Sequence, residues 1–345
     1  DNGIGMSREE VIQNIGTIAH SGTKELLGKI KSAEKEEALD LIGQFGVGFY
    51  SSFMVAKRVE LHTRRAGAEE SEAICWRSEG DGTFTLDSEP KKRVGTRITL
   101  FLKDADPEDG LEDFTQEWTV RSIVKKYSDF VTFPVKMKTE RQEPKKDEEG
   151  KIIEGEFDTV VQDDVLNSQK AIWSRNSNDV TDDEYNEFYR HVSHDWNTPA
   201  KVISQKSEGL VSYESLLFIP SKKPMDWMYD QGNGGLQLFV KKIMIMEKCE
   251  ELLPRYLRFV KGVVESTDLP LNVSREILQE NRQIKTIQKG LVKKILKELK
   301  DWKNESAEAY NEFWKEFGVA LKEGVASEPA SKEKLEDLLL FASSN

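Results

Sequence analysis

Cysteine is nearly missing from this sequence: Cys75 and Cys249 are the only two in 345 residues, far apart and outside any Cys-x-x-Cys or Cys/His ligand spacing. A disulfide framework and a zinc site are therefore not indicated, and a reducing, cytoplasmic compartment is expected. Long apolar runs are also lacking. None reaches the ~18 uninterrupted positions that a bilayer crossing needs, so no membrane partner is expected. Basic residues are outnumbered, with 50 Lys and Arg against 62 Asp and Glu for a formal net charge of −12. Broad nucleic-acid binding normally leaves a basic footprint, so that partner class is not expected either. The four histidines, His20, His62, His191 and His194, show no metal-ligand pairing. What is present is ample apolar content, 37% hydrophobic against 32% charged residues, which excludes a disordered acidic chain and indicates two or three domains with their own cores.

The first residue is Asp rather than Met. The chain is expected to be an internal piece, with the first strand or helix of its opening domain missing. Eight of the 23 glycines fall in residues 1–48, a density that marks unusual loop architecture there. Val55, Val59, Leu61 and Thr63 alternate as in a strand, and so does the run from Gly95 to Leu102. Thr119 to Asp129 has helical spacing. Phe130 to Val135 returns to strand character, with Pro134 placing it at an edge. From Glu140 to Lys151, nine of twelve residues are charged, too polar a composition to order itself by burial. A charged linker over 139–156 is thus expected between a first domain, 1–138, and a second, 157–345. In the second, Glu184 to His191 reads as a helix, and Leu216 to Pro220 and Leu236 to Val240 read as strands. Ile277, Ile284, Ile287, Leu291, Ile295 and Leu299 describe one long amphipathic helix. A last helix carries Phe313, Phe317 and Leu321 on one stripe, with Gly324 as its stop.

Two constellations carry chemistry. In the first, Asp1-x-Gly3-x-Gly5 is followed by Asn14, Gly16 and Thr17, and then by Gly43-Gln44-Phe45-Gly46-Val47-Gly48-Phe49. The glycine spacing is neither a dinucleotide fingerprint nor a Walker A loop. It fits a loop whose backbone N–H groups approach an anion, and it fits a hinge between two helices equally well. In the second, Asp268 to Gln279, a Pro270/Asn272 loop opens a helix capped by Asn272 or Ser274. Arg275 then lies in the first turn, where the helix dipole disfavours a cation unless an anion is shared. Gln279, four residues on, shares its face. A guanidinium plus an amide suits a phosphoryl oxygen, and an exposed Arg paired with a carboxylate fits the same spacing.

Taken in order, Asp1 to Met6, Ile15 to Lys24, Ile42 to Ser51 and Asp268 to Gln279 closely resemble the motifs of the Hsp90 chaperone family, its bacterial branch above all, and the likeness spans nearly the whole chain. That resemblance implies an α/β fold: a truncated Bergerat-type (GHKL) ATPase sandwich followed by an α/β middle domain of the ribosomal-protein-S5-domain-2-like type. It implies ATP and Mg2+ as cofactors. Asp1 would accept from the exocyclic amine of adenine, Gly5 would let the base approach, and Thr96 would lie near the base with an ordered water. Asn14 would sit near the phosphates and magnesium, and Gly43, Gln44, Gly46, Val47, Gly48 and Phe49 would bracket the phosphate tail at the end of a mobile lid. Arg275 would reach the γ-phosphate from the second domain, assisted by Gln279 and positioned by Asn272.

The same resemblance implies an ATP-driven chaperone acting on unfolded clients, open to co-chaperones, and dimeric through a C-terminal domain not in this sequence. Without the family's upstream Glu the chain alone is expected to hydrolyse ATP weakly or not at all. His20 stands where the family often has Lys at a phosphate-side contact. Another GHKL ATPase subunit, of a topoisomerase or a mismatch-repair complex, and a non-catalytic scaffold are the alternatives. The lysines at 285, 289, 293, 294, 297 and 300 read as a solvated helix face. Met225 to Tyr229 reads either as a client-contacting cluster or as core.

Overall fold

The computed structural model describes residues 1–17, 48–146, 152–223, 235–269 and 282–341. The chain is mixed α/β and divides into two compact units, Asp1–Val120 and Arg121–Asn345.

In the first unit, α1 (Arg8–Asn14) precedes a 3-10 turn (Gly48–Ser51) that runs into α2 (Ser52–Val55). Strands β1 (Ala56–Arg64), β2 (Ile74–Ser78), β3 (Thr85–Ser88) and β4 (Gly95–Leu102) form an antiparallel sheet in the order β3-β2-β1-β4. Alternation along β1 sends Val59, Leu61 and Thr63 to one face, and Trp76 of β2 stands opposite Leu61 on that same face. Val11 of α1 is fully buried against Ala56, Val59, Leu61 and Trp76, and these residues make the small core. The other face is charged: Arg77 donates to Glu60 at 3.3 Å, to Asp87 at 3.0 Å and to Glu89. α1 itself starts at a capping box, in which Glu10 N donates to Ser7 Oγ at 3.3 Å and Ser7 N donates to Glu10 Oε2 at 2.8 Å.

α3 (Glu117–Tyr127) carries the chain into the second unit. There β7 (Pro199–Ser207), β8 (Tyr213–Pro220), β9 (Leu236–Val240), β10 (Ile243–Cys249) and β11 (Lys261–Glu265) form a sheet ordered β10-β9-β11-β8-β7, antiparallel except for the β9/β11 pair. Helices cover both faces. α5 (Arg282–Glu305) and α6 (Ala307–Ser327), with the short α7 (Lys332–Glu336), pack on Leu217, Ile219, Leu238 and Val264. α4 (Asp182–Ser193), with Phe130 and Trp173, packs on Leu216, Phe218, Phe239 and Val263. A sheet buried on both faces needs near-continuous apolar strands, which is the character of β8 and β9. On α5, Ile284, Ile287, Leu291, Ile295 and Leu299 are buried while the lysines lie on the wet side, where Lys294 and Lys297 pair with Glu298 and Asp301.

Three expectations are corrected. Phe130 to Val135 forms no strand, because Asn167 takes its backbone groups: Val135 N donates to Asn167 Oδ1 at 2.8 Å, and Asn167 Nδ2 donates to Val131 O and Phe133 O at 2.9 and 3.0 Å. Gly324 does not stop the last helix, which runs on to Ser327. It makes room instead, since a Cβ there would lie 2.6 Å from Cγ of Tyr256. The charged stretch read as an unordered linker is paired: β5 (Lys136–Lys146) and β6 (Ile152–Val165) form an antiparallel two-stranded ribbon. Backbone pairing requires no apolar burial, so the composition did not exclude it.

A buried carboxylate fastens the second sheet. Trp173 Nε1 donates to Glu265 Oε2 at 2.5 Å, Lys242 Nζ to the same oxygen at 2.5 Å, and Lys242 N to Oε1 at 2.9 Å. Lys241 and Lys242 hold positive φ in the β9/β10 turn (51° and 64°), as a two-residue type I′ hairpin requires, and Glu265 offsets that strain. Glu265→Ala removes the partner of the half-buried Lys242 ammonium and of the buried Trp173 indole N–H. It is expected to cost about 2–3 kcal/mol in urea unfolding; a loss under about 1 kcal/mol would show the cluster to be dispensable.

At α4 the Thr181 backbone N–H, then Arg175, hold the Glu184 carboxyl down at about 2, against an ordinary 4.5. A depressed carboxyl stabilises above its unfolded value, and the contribution disappears as pH falls through the folded value. The first turn of α4 is therefore expected to fray as pH drops from 4.5 toward about 2, read by amide exchange, and Glu184→Gln should remove that dependence.

Candidate functional site

The first motif is drawn to the end of the sheet by backbone pairing and one side-chain hydroxyl. Asp1 Oδ1 accepts from Gly3 N at 2.9 Å and from Thr96 N at 3.2 Å, and the Asp1 amino group donates to Thr96 O at 2.8 Å. Ala66 N donates to Ile4 O at 2.7 Å, which lays the glycine-rich turn along the end of β1. Thr63 Oγ1, wholly buried, accepts from Met6 N at 3.0 Å, lies 2.9 Å from Thr96 Oγ1 and donates to Gly95 O at 3.4 Å. Asp1, Gly5 and Thr96 are thus brought together, with Asp1 Oδ2 at the exposed rim.

Two glycines make this close approach possible. Gly5 sits at φ +64°, and a Cβ would fall 1.9 Å from Arg64 O; at Gly95, φ +101°, it would fall 2.5 Å from Asp1 O. Gly5 is therefore required by the protein's own backbone, whatever else approaches it.

α1 has seven residues and so spans about 10 Å. Asn14, half-buried, closes its far end. There Tyr50 OH donates to Ile15 O, which ties the Gly48–Ser51 turn to the end of α1. Phe49 sets its ring edge-on to Trp76 at 5.5 Å, and Trp76 stacks on Phe84 at 6.0 Å. The Phe49 side chain thus packs inward, while Gly48 is exposed and a Cβ on it would meet no atom within 4 Å. The structure therefore groups Asp1, Gly5 and Thr96 at one end of α1, and Asn14, Gly48 and Phe49 at the other.

Gly43, Gln44, Gly46 and Val47, and likewise Asn272, Arg275 and Gln279, lie outside the described residues, as do His20 and Met225 to Tyr229. The flanks of the second motif are described, and they are anchored to each other. Ser212 N donates to Asp268 Oδ2 at 2.7 Å, Ser266 Oγ to Ser212 O at 2.6 Å, and Gln283 Nε2 to Asp268 O at 3.0 Å. Leu269 is buried beside them. The described residues on either side of the motif, Asp268 and Gln283, are thus held together between β11 and α5.

Residues 142–345 match the family profile described as Hsp90 protein. The chain belongs to the Hsp90 family. Its residues 1–90 also match the profile described as histidine kinase-, DNA gyrase B- and HSP90-like ATPase, which covers the Asp1, Asn14 and Phe49 neighbourhood. Over 345 residues the chain is 51% identical to the chaperone protein HtpG of Geobacter sulfurreducens, covering 99% of this chain and 52% of that protein. It is 52% identical to HtpG of Geobacter metallireducens, with the same coverage, and 50% identical to HtpG of Mycobacterium tuberculosis, covering 99% and 53%. The chain spans about half the length of the curated relatives it matches.

Sequence reasoning missed Thr63, Gly95, Tyr50 and the Asp268/Gln283 clasp. Thr63 reads as one more β-branched strand residue, and nothing local marks it as a junction. Thr63→Val keeps the shape and removes the acceptor of Met6 N. It is expected to destabilise the first unit by about 1–3 kcal/mol, while Thr63→Ser stays near wild type, both read as thermal midpoints. Equal midpoints for Val and Ser would remove Thr63 from the site's construction.

Proposed function

We propose that this Hsp90-family chain is the nucleotide-binding and middle part of an ATP-dependent chaperone. The observation that carries the reading is the Asp1–Thr96–Thr63 junction, set at one end of α1 with Asn14 at the other; Asp1, Asn14 and Thr63 fall in the stretch 1–90 matched by the ATPase profile, and Thr96 lies just beyond it. A carboxylate with one oxygen held by Gly3 N and Thr96 N keeps its second oxygen for a donor such as a purine amine. The length of α1 suits a nucleoside whose phosphates reach Asn14 and Gly48. ATP is the nucleotide proposed, with Thr96 and Gly5 beside the base and Gly43, Gln44, Gly46, Val47, Gly48 and Phe49 along the phosphates.

Magnesium fits as a companion of the phosphates. The described residues hold no cluster of three or more His, Cys, Asp or Glu, so Asn14 is the protein donor proposed and the nucleotide supplies the rest. When bound, the ion neutralises phosphate charge.

Arg275, with Gln279 and Asn272, is proposed to stabilise charge on the transferred phosphoryl, so that hydrolysis waits on the middle part being in place. The limits 1–138 and 157–345, flanking the charged ribbon segment 139–156, are kept as nucleotide-binding and middle domains. Unfolded proteins are the proposed clients, with co-chaperones possible, dimerisation through a further domain and a cytoplasmic location. No described helix is long and apolar enough to cross a membrane.

The test is paired. Asp1→Asn should weaken ATP binding about tenfold or more in a calorimetric titration, the size expected for a hydrogen bond to a charged group. In the protein at the length of its relatives, Arg275→Ala should leave ATP affinity within about twofold and cut turnover by more than about tenfold. Unchanged ATP affinity in Asp1→Asn, or no ATP binding by the wild type, would favour a scaffold that keeps the fold alone.

A further inference from the structure

The charged face of the first unit's sheet carries a cluster of cations that nucleotide binding leaves unused. β4 places Arg97 beside His62 of β1, and Arg64 follows two residues along the same face. The connection from β3 to β4 folds back next to them: Glu89 N donates to Ala73 O at 3.1 Å, Lys91 N to Glu70 O at 3.2 Å and Lys91 Nζ to Arg93 O at 2.6 Å. Burial first, then the charges of Arg97, Arg64 and Arg93, push the Lys91 ammonium below its ordinary value. The charges that lower it are those of neighbouring arginines. The carboxylates of this face are committed elsewhere, with Glu60, Asp87 and Glu89 all on Arg77. Glu70 stands 3.9 Å from Arg64 and is largely exposed. Arg93 and Arg97 are exposed and have no ion-pair partner among the described residues.

A chain of net charge −12 has no shortage of carboxylates; with Arg64 shared with Glu70, the three cations Lys91, Arg93 and Arg97 still stand without an ion pair among the described residues and form a local field of opposite sign to the whole. We propose that this surface, centred on Lys91, Arg93 and Arg97 and edged by Arg64, docks an acidic peptide segment of a partner protein. The cations are spread over a sheet face and its connecting segment. Same-side residues of an extended peptide recur about every 6.8 Å, a spacing that lets separate carboxylates meet separate cations. A single phosphate is a poorer match, because no helix N-terminus or group of converging backbone N–H donors lies among these residues. A nucleic acid is poorer still. No exposed aromatic ring is interleaved with these cations for bases to stack on.

Fluorescein-labelled hexaglutamate, titrated with the whole chain and followed by anisotropy, tests this. Saturable binding at low salt that weakens severalfold between about 50 and 200 mM salt is expected, since exposed charges are screened over that range. Lys91→Gln/Arg93→Gln/Arg97→Gln should weaken it at least about tenfold, the scale of one lost charge-assisted contact. The control Lys285→Gln/Lys289→Gln/Lys293→Gln removes the same net charge from α5 and should leave binding unchanged. If the triple variant unfolds, Arg93→Gln alone should still weaken binding measurably. Absence of binding, equal losses in the test and control triples, or tighter binding of a labelled hexathymidine strand at the same residues would each overturn the proposal.

Discussion

One buried hydroxyl, Thr63 Oγ1, joins the three segments that meet at the Asp1 end of α1 in the first unit. It receives the N–H of Met6 from the turn leading into α1, stands at 2.9 Å from Thr96 Oγ1 on β4, and itself belongs to β1. Nothing apolar could replace it. The turn from Asp1 to Gly5 is rich in glycine, has no core of its own and would otherwise hang from the sheet by a few backbone bonds. Asp1 reaches its place only because β4 presents the Thr96 N–H at the point where that turn passes. The position of the Asp1 carboxylate is thus set by strand register, and register is set by the alternation of Val59, Leu61 and Thr63 toward the α1 face.

The second unit solves a different problem. Its sheet is buried on both faces, by α5 and α6 on one side and by α4 with Phe130 and Trp173 on the other. Burial on both faces ties β8, β9 and β11 to helices on either side. The clasp of Gln283 on Asp268, beside the buried Leu269, holds the two flanks of residues 270–281 together.

Much of this was legible in the residues. The spacing of Ile284, Ile287, Leu291, Ile295 and Leu299 identifies α5 because one helical face is wholly apolar, and β1, β4, β8 and β9 follow from alternation or from short apolar runs. The failures share a cause. Phe130 to Val135 has strand propensity, but Asn167, more than 30 positions away, supplies the hydrogen bonds a neighbouring strand would have supplied. Gly324 looks like a terminator because the ring it accommodates, Tyr256, belongs to another part of the chain. Residues 140–146 look unable to order because burial was the only source of order considered, whereas β6 offers a backbone partner. At the candidate site, Asp1, Asn14 and Thr96 are expectations that come from the family resemblance and not from local pattern. Thr63 carries no signal in sequence, since a buried threonine in a strand is unremarkable until its neighbours are known.

The electrostatics of α1 explain why a site of this kind should need help from elsewhere. The far end of the helix, at Asn14, is its C-terminal end, where unsatisfied carbonyls give a partial negative charge. Tyr50 OH covers the Ile15 carbonyl next to it, which reduces that charge locally without reversing it. A triphosphate laid along α1 with its base at Asp1 would therefore bring its most highly charged groups to the less favourable pole. Compensation there has to come from cations and N–H donors that α1 does not provide, so the two ends of α1 pose opposite electrostatic problems: donors are already in place at Asp1, and positive charge has to be added at Asn14.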